Sequence, residues 1–129
     1  MTAEDSSNAG EVDRTTSPAF VPGAEREWEA LGGGVWRQLL GHDAAVMMVR
    51  VRFAAGAVGA PHRHPHRQVT LVESGRFRVE IGGETRVLGA GDCFFVAPEV
   101  EHGVTALEAG TLTDVFAPAR EDFLKGETG

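Results

Sequence analysis

From Val35 onward the chain is a series of short apolar runs cut by turn residues at close spacing, which leaves no room for a helical core. In residues 46–53, Val49, Val51 and Phe53 fall on one face and Met48, Arg50 and Arg52 on the other. That period of two is the mark of a half-buried strand. Similar runs follow at residues 68–73, 77–81, 85–88, 93–96, 102–106 and 111–115, with breaks at Gly75, at Gly82-Gly83, at residues 89–92 and near residues 108–110. Gly82-Gly83 predicts a two-residue hairpin turn, because glycine accepts the positive φ such turns require. Helix is expected only at residues 25–31, closed by Gly32-Gly33-Gly34, and at residues 120–125 behind Pro118. Many strands with almost no helix between them specify an all-β protein, an antiparallel sandwich or barrel.

At 129 residues there is enough chain for one such core and not for two. Residues 1–24, polar and without sustained periodicity, are expected to form a flexible arm, with Phe20 and Val21 as candidates to pack back on the barrel; residues 25–129 form the folded domain. The N-terminus has neither the basic nor the apolar region of a signal peptide, and no apolar run approaches the roughly 20 residues that span a bilayer. The expectation is a cytoplasmic protein with no membrane partner. The formal charge of −7 argues against nucleic acid as a partner. Eleven of the twelve basic residues are arginine, so anion recognition would be local, through guanidinium forks. The lone cysteine, Cys93, excludes an internal disulfide, and its apolar surroundings predict a buried core thiol.

Five histidines occur, and three of them fall in His62-Arg63-His64-Pro65-His66-Arg67-Gln68. In an extended segment, residues two apart point the same way, so His62, His64 and Gln68 share a face. His102, at the start of a later strand, is the candidate partner. Imidazole suits divalent transition ions, whereas a bare His-x-His is more often a solvated pair. His66 has the parity of the other ligands and is expected in a supporting or rim position. His42 is expected in a solvated loop.

The surrounding spacing decides between these readings. Gly56, five residues, His62-x-His64, three residues, Gln68, six residues and Gly75 resemble the first cupin motif at every interval. Gly91-Asp92, with His102 eleven positions after Gly91, resembles the second. Gln68 stands where the general motif has glutamate, Pro98 sits one place late, Glu99 replaces a glycine and Ala106 stands where asparagine is common. The resemblance covers residues 35–117. It implies a single double-stranded β-helix, the jelly-roll barrel of cupins, with a short C-terminal helix. It also implies one divalent transition-metal ion (nickel, zinc, manganese, iron or copper) on His62, His64, Gln68 and His102. A neutral amide in place of a carboxylate leaves the ion its full charge, favouring Lewis-acid over redox chemistry.

Asp114-x-Phe116-x-Pro118-x-Arg120-x-Asp122-Phe123-Leu124, behind the His-x-His-Pro-His-x-Gln run, is similar to small cupins of pectin and alginate catabolism that linearise unsaturated uronates. That resemblance implies an active-site trio of Asp114, Phe116 and Arg120, a small anionic sugar acid as substrate, and a homodimer. Arg67, where the family often has glutamate, bears on substrate identity. Arg50, Arg52 and Arg78 are candidates for further positive charge if they face inward. The alternatives are a cupin dioxygenase and a cupin that binds a small molecule without turnover.

Overall fold

The computed structural model of the chain describes residues 15–125. Among these residues eight strands are formed: β1 (Glu29–Gly32), β2 (Val35–His42), β3 (Met47–Phe53), β4 (Val58–His62), β5 (Arg67–Ile81), β6 (Glu84–Gly89), β7 (Cys93–Val96) and β8 (His102–Ala117). One short helix, α1 (Glu121–Leu124), follows β8. All strand pairs are antiparallel, in the order β1-β2-β3-β8-β5-β6, with β4 added to β8 and β7 added to β5.

β5 and β8 run through both walls of the barrel. The first part of β5 pairs with β7 and the last part with β6, while the first part of β8 pairs with β4 and the last part with β3. The expected breaks at Gly75 and at residues 108–110 are therefore corrected: four expected strands are two long ones. The ladder survives with register shifts between Val72 and Phe77, where bulges let a strand bend from one wall into the other. The bend depends on close backbone approach. A Cβ on Gly110 would run into the Ser74 carbonyl, and one on Gly75 into that of Ala109. Gly110→Ala is expected to lower stability by roughly 3 kcal/mol, the upper end of overpacking costs. It should show as a lower urea midpoint at unchanged slope.

The Gly82-Gly83 hairpin forms as the sequence predicts, with Ile81 opposite Glu84 and φ of 56° and 88° at the two glycines. The helix expected over residues 25–31 does not form. A 3-10 turn at Gly23–Glu25 is followed by β1, which turns through Gly33-Gly34 into β2. Seven residues are too few to hold a helix without packing, and Glu29 instead pairs directly opposite Arg37. From Thr15 on, part of the expected arm is described. The Ser17 N–H donates to the His42 carbonyl, and the Gln38 amide donates to the carbonyls of Gly23 and Arg26. Residues 1–14 lie outside the described residues. Phe20 is exposed rather than packed on the barrel.

Two apolar clusters fill the barrel. Phe53, Val72, Phe77, Val79, Phe94, Val96 and Leu112 close the lower one, with Phe53 and Phe77 edge to face at 5.2 Å. Met47, Val49, Phe116 and Ala119 form the second, against which Phe123 of α1 packs. Cys93 corrects its expectation: Phe94 and Val96 take the inner face of β7, which turns Cys93 outward, where it is exposed.

Candidate metal centre and active site

Strand register builds the site. His62 on β4 lies opposite His102 on β8; on the other side of β8, Gln68 lies opposite Phe116 and Thr70 opposite Asp114. His64, between β4 and β5, completes the group. One ring nitrogen from each of His62, His64 and His102 lies within 4.8 Å of the others. Nitrogens at 2.0–2.1 Å from one ion are about 3–4 Å apart, so a small inward adjustment would let all three share it.

Hydrogen bonding sets the tautomers. Nδ1 of His62, His64 and His102 lies 3.0, 3.1 and 2.9 Å from the carbonyl oxygens of Ala60, His66 and Val100. A carbonyl only accepts, so each Nδ1 carries the proton and each neutral ring offers its Nε2 lone pair. Nε2 of His102 is buried with no hydrogen-bond partner among the described residues. Nε2 of His64 faces Oε1 of Gln68 at 3.1 Å. The Gln68 amide nitrogen donates to Thr70 Oγ1 at 2.9 Å and approaches Asp114 Oδ1 at 3.4 Å, which points the oxygen at the histidines. Flipping the amide would set its oxygen against the Asp114 carboxyl instead. Two lone pairs at 3.1 Å repel unless a cation or proton lies between them. The donor set thus fits a divalent transition ion.

Burial keeps the His64 and His102 rings neutral. It is the largest influence lowering the His64 pKa to about 4, with Arg120 and His102 adding to it. The pKa of His102 is lowered for the same first reason. Ligation needs the unprotonated form, which these rings hold at neutral pH.

Asp114 is buried beside them and accepts the Thr70 hydroxyl proton at 2.6 Å. Burial raises its pKa to about 6, against the opposing pull of Thr70, Arg120 and Gln68. Phe116 meets the His64 ring edge to face at 5.8 Å. Arg120 follows the Pro118 turn and is also buried. Its Nε and Nη2 donate to the two carboxylate oxygens of Asp122 at 3.0 and 2.8 Å. Its guanidinium carbon lies 4.3 Å from the Phe123 ring centre and 5.2 Å from that of Phe116. His62, Gln68, His102, Asp114, Phe116 and Arg120 all line one cavity of about 470 Å³. That volume suits a small molecule.

The remaining candidates lie elsewhere. His66 is buried behind His64, with its main-chain oxygen holding the His64 ring. His42 is the last residue of β2, half-buried, and its N–H donates to Ser17 Oγ. None of the three arginines considered for the pocket lines it. Arg50 donates to Gln38 and pairs with Glu73, Arg52 lies over Trp28 and Trp36, and Arg78 is exposed. Arg37 joins Arg120 on the cavity wall, and it is a residue the sequence reading passed over along with Thr70. Thr70 shares the parity of Gln68, which was the signal available for it.

The turn before His102 carries another departure from the motif. Glu99, where the motif has glycine, has φ of 64°, a conformation costing a non-glycine residue roughly 1–2 kcal/mol. Its N–H donates to the His64 carbonyl at 2.8 Å, tying the two histidine segments together.

A double-stranded β-helix with converging histidines at its mouth defines a jelly-roll barrel of the cupin class. The match to the family described as Cupin domain spans residues 49–116, and the chain belongs to the cupin family. Among its relatives is the pectin degradation protein KdgF of Dickeya dadantii (strain 3937), 45% identical over 102 residues, covering 78% of this chain and 93% of that protein. An RmlC-like cupin from Shewanella frigidimarina NCIMB 400 superimposes with a TM-score of 0.83 at 46% identity, covering 84% of this chain and 98% of the other. KdgF from Halomonas sp. gives 0.79 at 38% identity, covering 83% and 99%.

Proposed function

We propose that the protein is a metal-dependent cupin that opens the ring of an unsaturated uronate to its linear keto form, as a step in pectin breakdown. The observation that carries this is the convergence of His62, His64, Gln68 and His102 beside a buried aspartate with a pKa of about 6, at one small cavity, in a chain 45% identical to a KdgF. His62, His64, Gln68 and His102 would hold one divalent transition ion. When bound, such an ion supplies Lewis acidity toward a substrate oxygen.

The reaction is an isomerisation with no net gain or loss of atoms. A proton leaves the anomeric hydroxyl, the bond from C1 to the ring oxygen breaks, and a proton reaches C4 as the resulting enol becomes a ketone. Asp114 serves both transfers, since a carboxyl with a pKa of about 6 accepts and releases protons at neutral pH. Thr70 and Gln68 hold it in place. Arg120 binds the substrate carboxylate, and Phe116 packs on the sugar ring and excludes water. On the family resemblance, the same reading makes the protein a homodimer.

The test is conversion of a 4,5-unsaturated uronate followed by NMR under nitrogen and under air. Equal rates are expected, because the isomerisation consumes no oxygen. Conversion only in air would favour the dioxygenase reading, and none under either gas the binding-only one.

A further inference from the structure

Arg37 lies on the inner face of β2, in line with Val35 and Leu39, at a position that apolar packing would fill. Its side chain is 2% exposed. Burying a guanidinium costs several kcal/mol unless it is well paired, and a buried ion pair adds little stability over an apolar residue of similar size. One pairing is with Glu29, whose Oε1 accepts from Nε at 3.1 Å and from Nη2 at 2.8 Å. That carboxylate is 42% exposed and lies off the cavity wall, while Arg37 lies on it. Arg120 repeats the pattern: it lines the cavity, and its partner Asp122 does not. Among the described residues, Asp114 is the one acidic residue on the wall. Both cations thus line the cavity, while the carboxylates of Glu29 and Asp122 do not.

The two guanidiniums also belong together. Arg37 lies 4.0 Å from the centre of the Phe123 ring that Arg120 approaches at 4.3 Å. Their central carbons are therefore no further apart than those two distances combined. A carboxylate taking hydrogen bonds from an arginine on each side can bridge a separation within that limit.

We infer that Arg37 is a second carboxylate-recognising residue of this cavity, sharing with Arg120 the negative charge of an acid sugar. This rests on the uronate reading above and deepens it: Arg37 makes the site selective for acid over neutral sugars, and Phe123 keeps the two forks in one place.

Calorimetric titration of the metal-loaded protein with D-galacturonate and, separately, D-galactose tests this. Wild type is expected to prefer the uronate. Arg37→Gln should weaken galacturonate binding about tenfold or more, the usual effect of removing a charge-assisted hydrogen bond, and leave galactose unchanged. Glu29→Gln breaks the same ion pair but keeps the cation, so its uronate affinity should match or exceed wild type. A loss in Glu29→Gln equal to that in Arg37→Gln would overturn the inference, since it would mark the pair as a brace between β1 and β2. A uronate preference lost in Arg120→Gln and kept in Arg37→Gln would overturn it while sparing the uronate reading; no preference in wild type would sink both. Should Arg37→Gln fail to fold, Arg37→Lys replaces it, with a several-fold loss expected from exchanging a fork for a point charge.

Discussion

Asp114→Asn is expected to stop linearisation while making the metal-free protein more stable. General acid–base catalysis by a positioned group is worth roughly 10²–10⁴-fold, and asparagine supplies no such proton transfer. Uronate binding should persist, because the amide keeps the shape of the carboxyl and an oxygen that accepts from Thr70 Oγ1. The stability gain follows from burial. The carboxyl's pKa is raised from 3.8 to about 6, so the folded state binds its proton more tightly than the unfolded chain does. Ionisation therefore weakens the fold progressively as pH rises from about 4 to about 6, and the full penalty stands above that range. At 1.36 kcal/mol per tenfold change in proton affinity, it amounts to about 3 kcal/mol. Thermal melts of chelator-treated wild type and variant should show a difference of several degrees at pH 8 that vanishes near pH 4. A variant less stable at pH 8, or one retaining most of its activity, contradicts this role.

The second large effect is on metal content. His102 and His62 face each other across β4 and β8, each with Nδ1 committed to a main-chain carbonyl. Replacing both with alanine leaves His64 and the Gln68 oxygen, too few donors to compete with water and buffer. Changing even the partners that orient metal ligands typically costs 10–100-fold in affinity, and loss of two ligands should exceed that. Elemental analysis after dialysis is expected to give about one ion per wild-type chain and almost none in the double variant. Added metal should raise the melting temperature of wild type alone, by mass action on the folded state. Full occupancy in the variant would move the site elsewhere.

The parts of this architecture that could be read from the chain are those governed by local backbone rules. Gly82-Gly83 could only be a tight turn, and the parity of His62, His64 and Gln68 placed them on one face. What was hidden depends on contacts far apart in sequence. Gly75 and Gly110 read as strand ends, yet they are the points where β5 and β8 lie too close for side chains and bend without breaking. Residues 25–31 read as helical because nothing local announces that Glu29 will pair with Arg37. β2 carries apolar residues on both faces, so alternation could not show that Arg37 points inward. The apolar neighbours of Cys93 suggest the core, although its parity, opposite to that of Phe94 and Val96, turns it outward.

On the function proposed above, Asp114 and an ion held by the four converging donors would together open a uronate ring. The most direct measurement is NMR-followed conversion of a 4,5-unsaturated uronate by the purified protein, before and after chelator treatment and again after a divalent metal is restored. Rapid appearance of the linear ketone, its loss on stripping and its return with the ion are the expected results. Conversion that persists undiminished in metal-free protein, or that never exceeds the spontaneous rate, would contradict it.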